Sequence, residues 1–570
     1  MFSLVVSARN LLLWLGNKGQ RWVAMLTLEQ EHILQRARLR QQRVHTLRRL
    51  RLIAQLRNQI ELESMWADPR LRRAYDQQRR LFYQSRPHLY EPMPKMIGRR
   101  ALLAGLGTLL ATPLLAQPSQ GPTKPTQGLR PSAPHAIGYR VDVRNFSTSA
   151  HPFRGGSDDA VPIRAAIEYA ASIGGATVYL GPGPISLTGT QGTLNPALAW
   201  TAPGIVLRGD GPGGTLINVQ YDPMGDVISL GSAPKNLNAT HGGIRDLAIS
   251  LGAGQVQASG AAVHSANGQK HQFDNVHTFG GFHTHFRVSG GPNQYVVWIS
   301  RCLIDATKGT EHAIVVGDHT GNYPQETNIV DLESGGNRAG RYCIGVFNSS
   351  GLNITNLDAI DYMENTLRVF PGAGQEVVNS FIHNIQCDTS GQDGVAIEIG
   401  ASTARVHNVR FSMSWFSSNG RTGLSLNGLD GNPIDGVHIS NSTAGGNVQH
   451  GIWINSNCKN IDVENVTTAG NSAAANPFSQ RPTGTSDTYS GIMVDNGSVA
   501  VSIVGGRSGA VGAWNGAATQ RYGYAFAEET DYCGLFAATA SGPSGPARNA
   551  TAALANSSLG THNQINAPIG

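Results

Sequence analysis

Cysteine is scarce in this chain, with five in 570 residues. They stand at positions 302, 343, 387, 458 and 533, odd in number and widely separated, and no CxxC or CxH spacing occurs. The sequence signature of a structural zinc site is therefore missing. Cys302, Cys343 and Cys387, about 41 and 44 residues apart in apolar, strand-like surroundings, read as buried free thiols. Clustered positive charge is also missing from most of the chain. Residues 1–100 hold 20 Lys and Arg against 7 Asp and Glu and the remainder holds 24 against 31, so the net charge of +6 belongs to one end. Phosphate contact needs grouped Lys and Arg, so the mildly acidic body is not a nucleic-acid binder. The apolar segment Ala101–Ala116 has sixteen residues, short of the ~20 that a spanning helix prefers.

Glycine, by contrast, is plentiful at 69 residues, alongside much Asn, Ser and Thr. That composition points to many turns and short strands. Between Gln392 and Asp495 one phrase recurs: Asp393-Gly394-Val395-Ala396-Ile397, Thr422-Gly423-Leu424-Ser425-Leu426, His450-Gly451-Ile452-Trp453-Ile454 and Ser490-Gly491-Ile492-Met493-Val494. A glycine followed by apolar, any, apolar is a short strand with alternate side chains pointing inward. Spacings of about 29, 28 and 40 residues make it an internal repeat. One such strand cannot bury its inner face alone, so the repeats must stack on a continuous core. Strand-like runs such as Ile244–Ile249, Asn328–Leu332 and Leu352–Leu357 extend the series. Asn at strand ends, as in Asn441 and Asn465, is placed to hydrogen-bond along the stack where corner backbone groups need partners.

The first 138 residues differ in kind. Residues 1–95 contain an Arg-, Gln- and Leu-rich stretch, Leu28–Phe82, without glycine, which predicts a basic amphipathic helix or helix pair. It reads either as a solvated charged helix or as a contact for acidic lipid or nucleic acid. At 96–116, Met96-Ile97-Gly98-Arg99-Arg100 precedes the apolar segment and Leu114-Leu115-Ala116-Gln117, in the order of an export signal. The Arg99-Arg100 pair resembles the two arginines of a twin-arginine signal. With Met96 as the start, the chain is exported and mature from about Gln117. With Met1 as the start, the segment becomes a signal-anchor with a basic cytoplasmic tail, giving membrane contact through 1–116. Residues 117–138 are a Pro-, Gly- and Ser-rich linker.

The folded body is expected over 139–535, with 536–570 a loose low-complexity tail. It opens with Ser157 or Asp158 as a helix cap, then Ile163, Ala166, Ile167 and Ala170 on one face, ended by Gly174-Gly175. Ala176-Thr177-Val178-Tyr179-Leu180 and Gly181-Pro182-Gly183 follow, then Val206-Leu207-Arg208-Gly209-Asp210-Gly211. This order resembles the N-terminal lead-in of the pectate-lyase-like right-handed parallel β-helix proteins, which include polygalacturonases, pectate lyases and phage tailspikes. The resemblance, over roughly Tyr139 to Gly505, implies an all-β, single-stranded parallel β-helix behind a short N-terminal capping helix.

The residue before each repeated glycine forms a column of Asp393, Thr422, His450 and Ser490, with Arg421 one position earlier. A carboxylate, a guanidinium and an imidazole on one face suit acidic-sugar binding and proton transfer. Ser390-Gly391-Gln392-Asp393-Gly394 and Gln449-His450-Gly451 resemble parts of the polygalacturonase pattern, but Gly420-Arg421 stands where that family has an Asp-Asp pair, and its Arg-Ile-Lys motif is absent. The second carboxylate then falls to Asp388, Asp361 or Glu364, and Arg421, Arg405 and Trp453 are the candidate substrate contacts. The alternative is that the column is a set of polar corners.

For a metal, Asp430–Asp435 offers calcium-type oxygens at the wrong spacing for an EF-hand and reads as a turn. His271, His277, His283 and His285 read as surface histidines without a completed ligand set. No cofactor motif appears. The expectation is an exported polysaccharide hydrolase or lyase acting on an acidic glycan, or a non-catalytic polysaccharide-binding or envelope β-helix protein.

Overall fold

The computed structural model describes residues 139–567 apart from 156–157, 190–195, 232–241, 267–269, 291–295, 318–322, 474–486, 511–518, 544–548 and 558–561. The segments read as basic helical region, export signal and linker lie outside the described residues. Among the described residues, no helix is long and apolar enough to cross a membrane.

The body is a parallel β-solenoid. Among the described residues, strands of successive coils stack into a 24-stranded sheet and a 13-stranded sheet, here called the large and the small sheet. One coil shows the plan. Glu376–Asp388 runs along two faces of the large sheet, and Val395–Glu398 then returns through the small sheet. The next coil repeats it with Arg405–Ser412, Trp415–Ser417 and Leu424–Asn427, in parallel register such as Val395↔Leu424. Alternation sends every second side chain inward. Val395, Leu424, Ile452 and Ile492 therefore stack, at most 1% exposed, in one hydrophobic cluster that runs through the body.

The corners are held by amides. Asp331, Asn356 and Asn384 have positive φ at one bend. Asn356 Nδ2 donates to Asp331 Oδ1 at 2.7 Å, and Asn384 Nδ2 to Asn356 Oδ1 at 2.7 Å. Asn441 and Asn465 occupy the same corner of later coils, also at positive φ. A second ladder is fully buried: Asn419 Nδ2 donates to Asn447 Oδ1 (2.9 Å), Asn447 to Asn471 (2.8 Å), Asn471 to Gln520 (2.7 Å) and Gln520 to Asn549 (3.0 Å). It also explains the repeated glycine. A Cβ on Gly394, Gly423 or Gly451 would stand 2.7–2.8 Å from the ladder nitrogen of Asn419, Asn447 or Asn471 and within 2.7 Å of the next coil's carbonyl oxygen.

Helix Ala160–Ser172 buries Ile163, Ala166, Ile167 and Ala170, as its periodicity predicts. Asp158 Oδ1 accepts the Ala160 N–H at 3.1 Å. Gly174 and Gly175, at φ 86° and 115°, end it with backbone that L side chains resist.

Two expectations are corrected. The stretch after 535 is not a loose tail: Ala552–Asn556 pairs in parallel with Tyr522–Phe526, and Gln564–Asn566 with Gly534–Phe536. Its small residues still build coils because Asn549 continues the buried ladder. The histidines are not all on the surface. His271 and His285 are 3% and 0% exposed, and hydroxyl partners make that burial tolerable: Ser265 for His271, and Thr278 and Thr310 for His285. All five cysteines are buried and free.

Candidate functional site

Acidic side chains collect on the outer face of the large sheet just after the asparagine corner. Register aligns Glu333 with Asp358, Asp358 with Gln386, and Gln386 with Trp415; two residues along, Ile360, Asp388 and Ser417 align. Leu332, Ser334, Leu357, Ala359, Ile385 and Cys387 fill the inward positions, so Glu333, Asp358, Gln386, Asp388 and Trp415 face out.

Glu333 and Asp358 are exposed, yet desolvation raises the pKa of both, with Asp358 also raising Glu333. Asp388 is half-buried, and burial pushes it up to about 6 against the opposing hydroxyls of Ser417 and Ser418. Its Oδ1 is buried without a partner. Trp415 Nε1 donates to Ser417 Oγ, tying an aromatic face to the carboxyl. Among the described residues, no cation acts on Glu333 or Asp358. One coil (~4.8 Å) and two strand residues (~6.6 Å) separate Asp358 from Asp388, about 8 Å between backbones.

The residues chosen from sequence fall in several places. Asp393 is 2% exposed. It accepts the Thr422 N–H at 2.9 Å and lies 3.7 Å from Arg421 Nε. Burial outweighs that cation, so its carboxyl is pushed up to about 6. His450 Nδ1 accepts the Ser490 N–H at 3.0 Å, which leaves the ring proton on Nε2. Burial pushes this imidazole down to about 4. His450 packs beside Trp453 and Tyr489, with ring centroids 5.8 and 5.1 Å away. The Asp393–Arg421 and His450–Trp453 pairs thus form on one column, with the Thr422 coil between Asp393 and His450.

Asp361 adjoins Asp388 through its backbone, donating N–H to Asp388 O at 3.3 Å, while its carboxylate lies 3.5 Å from Arg338. Arg405 starts a strand on another face, in register with Glu376. Glu364 joins Arg341 (2.5 Å), which also holds Glu311 (2.6 Å). Tyr342 donates to Glu364 and receives Arg368, which reaches Glu398 at 3.4 Å. On the small sheet, then, acids and arginines neutralise one another.

Asp430–Asp435 begins as a tight turn closed by Asn432 N–H to Leu429 O at 2.8 Å. Among the described residues, no group of three or more His, Cys, Asp or Glu is placed to hold a metal ion. Sequence reading missed Glu333, Asp358 and Trp415. The signal was a polar or aromatic residue between inward-facing neighbours, as in Leu332-Glu333-Ser334 and Leu357-Asp358-Ala359, repeated at coil spacing.

No protein-family model and no curated protein matches the sequence. Solved structures do match. Tailspike protein 3 of bacteriophage CBA120 superposes with a TM-score of 0.52 at 15% identity, over 75% of this chain and 61% of that one. A mutant tailspike protein of E. coli bacteriophage HK620 gives 0.50 at 10% identity, over 75% and 80%. The A-module of mannuronan C-5 epimerase AlgE6 from Azotobacter vinelandii gives 0.49 at 14%, over 75% and 99%. The chain has the fold of the pectate-lyase-like right-handed parallel β-helix proteins.

Proposed function

We propose that the protein is an exported, carbohydrate-active β-helix protein that hydrolyses an acidic polysaccharide along the outer face of the large sheet. The observation that carries this reading is the outward row of Glu333, Asp358 and Asp388, acids with raised pKa, beside Trp415. A carboxyl pushed up to about 6 by burial, as at Asp388, can donate a proton near neutral pH. Asp388 is the proton donor to the glycosidic oxygen, and Asp358 is the base for water. With their backbones about 8 Å apart, the two acids are far enough apart to admit a water between them, as an inverting pair requires. Trp415 offers a sugar-stacking face. Arg421 follows Ser417, the register partner of Asp388, by four residues around the corner, and its side chain is 39% exposed. It can meet a uronate carboxylate.

Two phage tailspike proteins share this fold with the chain at low identity. Export through the segment at 96–116 completes the proposal. Non-catalytic polysaccharide binding is the second reading, favoured by the mutual pairing of Glu311, Arg341 and Glu364 on the small sheet. Incubating the purified protein with acidic and neutral polysaccharides separates the two. New reducing ends that vanish in Asp388→Asn support hydrolysis, unsaturated uronate absorbance would convert the assignment to a lyase, and tight binding without product would leave only the second reading.

A further inference from the structure

Away from the acidic row, three side chains from successive coils of the small sheet are joined in a line. Asp226 precedes strand Ile228–Gly231, His264 lies in Val263–Ala266 and Ser289 ends Thr284–Ser289. Asp226 Oδ2 stands 2.6 Å from His264 Nδ1, and its Oδ1 accepts the Ala261 N–H at 2.8 Å, which fixes the carboxylate. Burial pushes the Asp226 carboxyl up, but the hydrogen bond and charge of His264, the Ala261 N–H and Arg287 together hold it below its usual value. An ionised Asp226 demands a proton on Nδ1, so Nε2 carries the lone pair. Ser289 Oγ lies 2.7 Å from that nitrogen. A carboxylate orients an imidazole, and the imidazole receives the hydroxyl proton.

We propose that Ser289 and His264, oriented by Asp226, form a nucleophile–base pair that hydrolyses carboxylic esters, an activity distinct from glycan cleavage. The hydroxyl is activated in the way that makes serine a nucleophile on unrelated folds. Ser289 Oγ bonds to the ester carbonyl carbon as its proton passes to His264 Nε2. The imidazolium then returns that proton to the departing alcohol, leaving an acyl-serine. Water attacks the acyl group, His264 takes its proton and gives it to Ser289 Oγ, and the carboxylic acid leaves. The sum is ester and water to acid and alcohol. Arg287, in register with His264 and two residues before Ser289 on the same strand face, supplies positive charge near the developing oxyanion. Ser289 is 6% exposed, and the ester proposed is a small one, of acetyl size. That the ester is an O-acetyl group on a polysaccharide rests on the function proposed above; the triad itself does not.

Treatment of the full-length protein with a fluorophosphonate probe, followed by peptide mass spectrometry, tests the nucleophile without any variant. Labelling at Ser289 is expected. Hydrolysis of p-nitrophenyl acetate is expected to fall about a thousandfold in Ser289→Ala and His264→Gln. An unlabelled Ser289 in folded wild-type protein, or equal turnover by folded wild type and Ser289→Ala, overturns the proposal. Turnover of p-nitrophenyl acetate without acetate release from any acetylated polysaccharide would uphold the triad and remove the glycan assignment.

Discussion

A Cβ on Gly423 would lie 2.8 Å from Asn447 Nδ2, inside contact distance. The repeated glycine and the ladder asparagine are therefore one device, because the amide can reach along the axis only where the neighbouring coil has no side chain. Asn447 accepts from the backbone and side chain of Asn419 and donates to Asn471 and Phe416 O. Asn447→Ala should cost about 1–3 kcal/mol in orphaned buried groups. Gly423→Ala should cost about 1–3 kcal/mol in overpacking. The double variant should cost less than the sum, because the clash with Nδ2 disappears. Denaturant unfolding of the four proteins reads this coupling, and strict additivity would show the two residues to be independent.

The solenoid was legible because its determinants are local and repeated. Gly394, Gly423, Gly451 and Gly491 mark the coil spacing, and the alternation after each marks the inward row. The site was less legible. Asp393, Arg421 and His450 do share a column, but whether a carboxylate there is buried or exposed depends on corner geometry that glycine register leaves open. Asp358 and Glu333 went unseen because the repeat around them, an outward acid between inward-facing neighbours, carries no glycine marker; only the pairing of separate strands makes them neighbours. The triad drew no notice either, since about 38 and 25 residues separate His264 from Asp226 and from Ser289 and no short motif spans such loops.

Asp388 and Ser417 give a signed test of the cleavage chemistry. A proton donor with a pKa of about 6 loses its proton as pH rises through that value, so cleavage should decline above about pH 6. The Ser417 hydroxyl lowers the Asp388 pKa. Removing it in Ser417→Ala should move the alkaline limb of the pH–rate profile upward. A limb that stays in place, in an otherwise active variant, would mean that Asp388 is not the group being titrated.

Arg421 separates glycan recognition from the chemical step. Its Nε lies 3.7 Å from Asp393, yet 39% of the side chain is exposed, leaving donors for a sugar carboxylate. Arg421→Ala should raise KM on an acidic polysaccharide by about tenfold, equivalent to about 1.4 kcal/mol, with a much smaller effect on kcat. Steady-state kinetics with the acidic polymer and its carboxyl-reduced form make the comparison. Equal losses on both forms would assign Arg421 to holding Asp393 rather than to the sugar.

His285 makes the fold acid-sensitive. It is fully buried between Thr278 and Thr310, and burial pushes its pKa down to about 3 from 6.5. The unfolded chain takes up a proton below pH 6.5 that the folded protein refuses until about pH 3. Its stabilising effect is thus fully present above pH 6.5 and lost progressively as pH falls toward 3. Asp388 and Asp393 act in the opposite sense, since their raised values of about 6 let the folded form bind protons first between 3.8 and 6. His285→Gln keeps an amide able to bond to the two threonines and cannot be protonated. Its thermal midpoint should fall less between pH 7 and pH 4.5 than that of the wild type. An unchanged slope would show that the folded protein admits the proton at His285.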